Sequence, residues 1–283
     1  MIYAQTNLQL FNQMRAHGYG ERDLATIKKS YTLATQLFTT EFRGSGKPLL
    51  AHVVGTASVL CSLEVPAAVL GAAVLHAAYI FGEFGDGRRG GDRAKRHAVR
   101  EAVGSDIEEL VMRYHQLRWD STTVATIAEG LHRMDPRDKD VLLIRLANEL
   151  EDHLDLGVLY CGNAEHRREE IRSSLHFCID LSRALGHPAL AFEFERAFDE
   201  VLSSDVPQVL RSSRDWTYAL PPLSHMPTLS VTLRRILDAH PRLGLMLHPS
   251  RLVTAVSNRR KSTDAVRSAA DDRQHWTKRD VPG

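Results

Sequence analysis

Two histidines limit the chemistry this chain can attempt. His52 lies in LLAHVVGTASVLCSL and His76 in PAAVLGAAVLHAAYIFG, each among apolar residues at helical spacing. Imidazoles exchange protons near neutral pH and are common metal ligands, so a pair aimed at one pocket suits acid–base or metal chemistry. A third helix, IRLANELEDHLDLG, supplies partners. There Asn148, Glu151, Asp152 and Asp155 sit at offsets of three, four and seven and share one side of a helix. Arg43, in FRGSGKP, precedes His52 by nine residues. Its planar fork suits an anionic group or the face of a base. Tyr79 falls one turn beyond His76 on the same face and brings a hydroxyl donor. Each has a plainer reading: a hydrogen-bonded core histidine, a rim tyrosine, an arginine neutralising Glu41 or Asp23.

The elements that must position these groups are helical. Spacings of three and four recur, and strict apolar–polar alternation is almost absent. TNLQLFNQMRAHG predicts a first helix, capped by Thr6 or Asn7 and ended by Gly18. ERDLATIKKSYTLATQLFT predicts a second, with Leu24, Ile27, Tyr31, Ala34 and Leu37 or Phe38 on one face. Two glycines and a proline in FRGSGKP break it. Pro66 is expected in the first turn of the helix that carries His76. EFGDGRRGGDR lacks a phosphate-loop pattern and is expected as a mobile loop at the pocket rim. DKDVLLIRLANELEDHLDLGVLY and HRREEIRSSLHFCIDLSRALG each read as one helix, and PALAFEFERAFDEVL closes the compact part. Beyond it Pro and Ser accumulate. The expected division is a helical domain over 1–202, an extension over 203–250 with one short helix in TLSVTLRRILDAHP, and a polar, disordered tail over 251–283.

Composition removes several classes of function. Within 283 residues, 36 basic side chains nearly balance 35 acidic ones, so no global field recruits nucleic acid or an anionic membrane. Three widely spaced cysteines without a CxxC pair argue against a disulfide framework or a zinc knuckle. The N-terminus lacks a signal-peptide pattern, and the most apolar run, Val65 to Tyr79, is too short and Ala-rich to span a bilayer. A cytoplasmic protein is expected, with no nucleic-acid or membrane partner and an open oligomeric state.

The order of motifs resembles the HD-domain hydrolases of the RelA/SpoT type, which remove pyrophosphate from guanosine alarmones. Arg43, Ser45, Gly46, Pro48 and His52 match the family's R-x-S-G-x-P-x-x-x-H signature. AAVLHAAYIFGEFG falls where the family has L-L-H-D, and IRLANELED where it has L-A-D-R-L-H-N. The resemblance covers roughly 20–185 and implies an all-α, HD-like bundle. It also implies a metal held by two histidines and two aspartates, but here Ala77 and Asn148 stand at the aspartate positions. Near Ile80 and Phe81 the family's acidic pair is missing too. Losing that charge weakens a site for a hard dication, with Glu151 or Glu83 the nearest replacement donors.

The resulting expectation is a divergent small-molecule enzyme descended from a nucleotide phosphohydrolase, hydrolase-like or repurposed as a lyase or transferase. His52, His76, Tyr79 and Glu151 would carry acid–base chemistry, and Arg43, Asn148 and Asp152 would bind a nucleotide or other anionic compound. No cofactor is expected; the alternative is manganese, iron or zinc on His52 and His76. The competing reading is a non-catalytic HD-like protein that regulates by binding a nucleotide or partner.

Overall fold

A computed structural model describes residues 3–119, 121–173 and 176–220, without the side chains of 121, 122, 124 and 125. The chain divides into two units, Met1–Tyr218 and Ala219–Gly283, and the described residues lie almost entirely in the first. The expected helix in TLSVTLRRILDAHP and the tail over 251–283 lie outside the described residues.

The protein is all-α. In chain order the helices are α1 (Asn7–Ala16), α2 (Glu21–Phe38), α3 (Leu49–Cys61), α4 (Ala67–Leu75), α5 (Ala78–Phe81), α6 (Arg93–Val103), α7 (Ser105–Gln116), α8 (Ser121–Gly130), α9 (Pro136–Leu154), α10 (Ala164–Ser173), α11 (His176–Ala184) and α12 (Pro188–Ser203). One two-stranded sheet pairs β1 (Glu41–Phe42) with β2 (Tyr218–Ala219). Local chemistry starts the helices where side chains can take the orphan N–H groups. The Thr6 hydroxyl accepts from Gln9 N–H while the Gln9 side chain accepts from Thr6 N–H, a capping box at α1. Asp92 caps α6, and Asp135 caps α9 with Pro136 just inside it. Pro66 flanks α4 as its N-cap, one residue ahead of the first turn where the sequence puts it.

Burial then sorts the helices. From His52 to Cys61 every residue of α3 is buried, and so is every residue from Val141 to Glu151 of α9. A helix buried around its circumference belongs in the centre of a bundle. Accordingly α3 packs on α9 and α4, while α4 also packs on α2 and α7. No helix among the described residues is long and apolar enough to cross a membrane.

One long helix expected from periodicity is divided. After α9 ends at Leu154, Leu156 adopts φ 58°, and a 3₁₀ turn, Gly157–Tyr160, follows. The Asp155 carboxylate accepts from Gly157 N–H at 3.0 Å, a local turn that competes with continuing the helix. HRREEIRSSLHFCIDLSRALG holds α10 and α11, and the two positions between them, 174 and 175, lie outside the described residues. The glycine-rich stretch before α6 is tied back by Gly90 N–H, which donates to the Tyr79 carbonyl at 2.8 Å.

Close packing of α4 depends on Gly71, where a Cβ would lie 2.8 Å from Ile107 Cδ1 and 2.9 Å from Ser30 Oγ. Gly71→Ala is expected to cost about 1–3 kcal/mol through overpacking. Urea unfolding at pH 7 reads this, and an unchanged midpoint would contradict that packing.

Candidate functional site

A tight loop sets the first two groups of the site. Arg43 N–H donates to the Lys47 carbonyl and Gly46 N–H to the Arg43 carbonyl, both at 2.8 Å, with Gly46 at φ 90°. That left-handed conformation favours glycine. The loop brings both cations to one end of α9. Arg43 Nη2 donates to both oxygens of Asp152 at 2.6 Å, and Arg43 Nη1 donates to the Thr217 hydroxyl at 3.2 Å. Lys47 Nζ donates to Glu151 and, at 2.9 Å, to Asp155.

His52 enters from α3 and is buried. Its Nδ1 lies 2.5 Å from Glu151 Oε2 and its Nε2 lies 2.8 Å from Asn148 Oδ1. Asn148 and Glu151, three positions apart on α9, thus grip one ring from its two edges. The approach requires Gly55, because a Cβ there would run into the Glu151 carboxylate. A carboxylate so enclosed is tolerable only when paired and hydrogen-bonded, and Lys47 and His52 both meet it. Burial alone pushes Asp152 up, but Arg43, then His52 and Arg167, outweigh it and hold the carboxyl far below its usual range.

His76 stands beside it, its ring 5.5 Å from that of His52 in an edge-on arrangement. Its Nδ1–H donates to the Ala73 carbonyl at 2.7 Å, which leaves Nε2 as the acceptor. Burial, then the nearby His52, pull His76 from 6.5 to about 3. Behind it stands the Tyr114 ring at 5.0 Å, and the Tyr114 hydroxyl meets Arg145 Nη1 at 3.5 Å. Arg145 also donates to Glu149 at 2.8 Å and lies over the Trp119 ring.

Tyr79 is directed elsewhere. The sequence places it on the His76 face, but α4 ends at Leu75 and a turn through His76 and Ala77 separates α4 from α5. With the helical register interrupted, the buried Tyr79 hydroxyl donates to Glu108 at 3.1 Å, beside Arg96 and Arg100. So His52, His76, Glu151, Arg43, Asn148 and Asp152 come together, and Tyr79 joins a different polar cluster. Lys47, Tyr114, Arg145 and Thr217 are site neighbours that spacing did not single out. Lys47 stood inside the quoted FRGSGKP loop; Tyr114 and Thr217 carried no local signal.

One nitrogen of His52 and one oxygen each of Glu151 and Asp152 lie within 4.8 Å of one another, a possible three-ligand cation cluster. Its two carboxylates already carry the Arg43 and Lys47 heads. At the first aspartate position of the resembling family, Ala77 has no donor atom, and at the second the Asn148 amide faces His52. This donor set does not fit that family's metal site.

Two comparisons bear on this arrangement. Residues 30–156 match the family described as the HD domain. The chain is also 24% identical over 182 residues to a protein of Mycobacterium leprae (strain TN) named "Probable GTP pyrophosphokinase", covering 62% of this chain and 21% of that protein. The chain therefore spans about a fifth of that relative's length.

Two outcomes follow from the site's electrostatics. The unfolded chain protonates His76 near pH 6.5 but the folded one only near pH 3, so the folded state loses stability as pH falls through that window. The slope from this ring approaches about 1.4 kcal/mol per pH unit. His76→Gln is expected to remove one proton's worth of slope in urea titrations between pH 6 and 4; an unaltered slope would refute the neutral buried ring. Lys47→Met, which strips a partner from the buried Glu151, is expected to cost about 3–5 kcal/mol at pH 7. A loss below 1 kcal/mol by the same assay would assign the pair little weight.

Proposed function

We propose, from the match of residues 30–156 to the HD-domain family, that this chain is a divergent, hydrolase-like enzyme acting on a phosphorylated nucleotide without a divalent metal. The observation that carries the reading is the Glu151–His52 pair, an imidazole held at Nδ1 by a buried carboxylate. In such a pair the carboxylate fixes the ring and stabilises the cation formed when Nε2 takes a proton. Asn148 suits that role, because an amide can accept from a protonated Nε2 or, rotated, donate to a bare one. His76, neutral at pH 7, offers an acceptor at Nε2 and not a second base. Arg43 supplies the planar fork for a phosphate or base, which would exchange with Asp152. The nucleotide class rests on the resemblance and on the name of the Mycobacterium leprae relative.

A second reading, regulation by nucleotide binding without turnover, is favoured by one observation. His52 Nε2 already faces Asn148, so a substrate must displace that amide to reach it.

The test is phosphate and pyrophosphate release from guanosine and adenosine polyphosphates, with EDTA or with added manganese. Turnover is expected to survive EDTA, and His52→Ala to lower it about 10²–10⁴-fold. Activity abolished by EDTA and restored by manganese would reverse the metal-free assignment. Saturable binding with no turnover under either condition would establish the regulatory reading.

A further inference from the structure

One stretch of chain runs over the Arg43 loop. Ser212 N–H donates to the Tyr160 carbonyl at 2.7 Å, and Gly162 N–H donates to the Arg214 carbonyl at 2.9 Å. Further on, the Tyr218 ring stacks on Phe42 at 5.9 Å, and the Arg214 guanidinium lies over the Tyr218 ring at 4.0 Å. Between these anchors Thr217 is buried, and its hydroxyl accepts from Arg43.

Two glycines shape the seat for this stretch. A Cβ on Gly44 would lie 2.9 Å from the Asp215 carbonyl carbon and 3.0 Å from the Arg214 oxygen. A Cβ on Gly162 would lie 2.5 Å from Asp215 Oδ1 and 3.2 Å from the Ser213 carbonyl carbon. Neither glycine has a left-handed φ. Their missing side chains therefore serve the close approach of Ser213–Asp215, not a turn of their own.

We propose that Ser212–Tyr218 is a strap closing the Arg43 mouth of the site, and that lifting it off Gly44 and Gly162 uncovers the Arg43 fork for a phosphate-bearing ligand. The ligand class rests on the function proposed above; the closure does not. In the closed arrangement Arg43 Nη1 is taken by the strap's Thr217 and Nη2 by Asp152. Ser213, Arg214 and Asp215 are exposed, and the strap adds only Thr217 to the buried residues. A segment so lightly buried opens at low cost compared with the central helices.

The experiment uses the full chain and two variants, Gly162→Ala, whose Cβ strains the strap's seat, and Thr217→Val, which removes its bond to Arg43. Circular dichroism establishes that each is folded. Strap opening is read as trypsin cleavage after Arg214, and Arg43 exposure as phenylglyoxal labelling measured by mass spectrometry. Both rates are expected to rise about tenfold in Gly162→Ala. Thr217→Val is expected to raise Arg43 labelling by a smaller factor. Faster cleavage with unchanged Arg43 labelling would overturn the strap as a cover, and so would unchanged rates for both. Calorimetry with inorganic pyrophosphate adds the ligand arm: tighter binding in Gly162→Ala than in the natural chain, lost in Arg43→Ala, supports the full proposal. Greater Arg43 labelling without pyrophosphate binding in any protein would uphold the closure and sink the phosphate-ligand reading.

Discussion

The Glu151 carboxylate is the group on which the rest of the site depends. It is buried at the contact of two central helices, and it accepts from Lys47 on the loop and faces His52 on α3. Taking a carboxylate out of water costs several kcal/mol, which only a well-placed set of donors offsets. Gly55 provides the room, α3 the imidazole and the FRGSGKP loop the ammonium. If any one is altered, the buried charge loses a partner or its space.

The neighbouring pair repeats this logic nearer the surface. Arg43 holds Asp152 with one nitrogen, and its other nitrogen reaches Thr217. Most of the negative charge of the described site is thus met by its own chain: two cations from one loop face three carboxylates at the end of α9. That arrangement explains how three acidic side chains, Glu151, Asp152 and Asp155, share one helix end without prohibitive repulsion. It also frames the proposed chemistry as an exchange of partners, in which a phosphate would take the place of an internal carboxylate.

Much of the fold was legible because it follows from local rules. The cap at Thr6, the breaker at FRGSGKP and the apolar runs of α3 and α9 are each written within a few residues, whereas the Asp135 cap, ahead of the expected start of α9, emerges only in the structure. Periodicity also placed Asn148, Glu151 and Asp152 on one helix side, and the α9 geometry brings all three to His52 or Arg43. Where it went astray, a turn had replaced helix continuity. Tyr79 left the His76 face at the break through Ala77, and α9 stopped at an Asp155–Gly157 turn that periodicity does not register.

Residue identity and short-range spacing are properties of the chain, and they were enough for the helical class, the order of the motifs and the presence of Ala77 and Asn148 where the resembling family has aspartates. Which charges become partners was settled by packing. Lys47 reaches Glu151 across 104 positions, Arg43 meets Asp152 across 109 and Thr217 across 174. No periodicity extends over such separations. They are fixed by how α3 and α9 pack and by the absence of a Cβ on Gly55, Gly44 and Gly162, contacts that exist only once the bundle has formed.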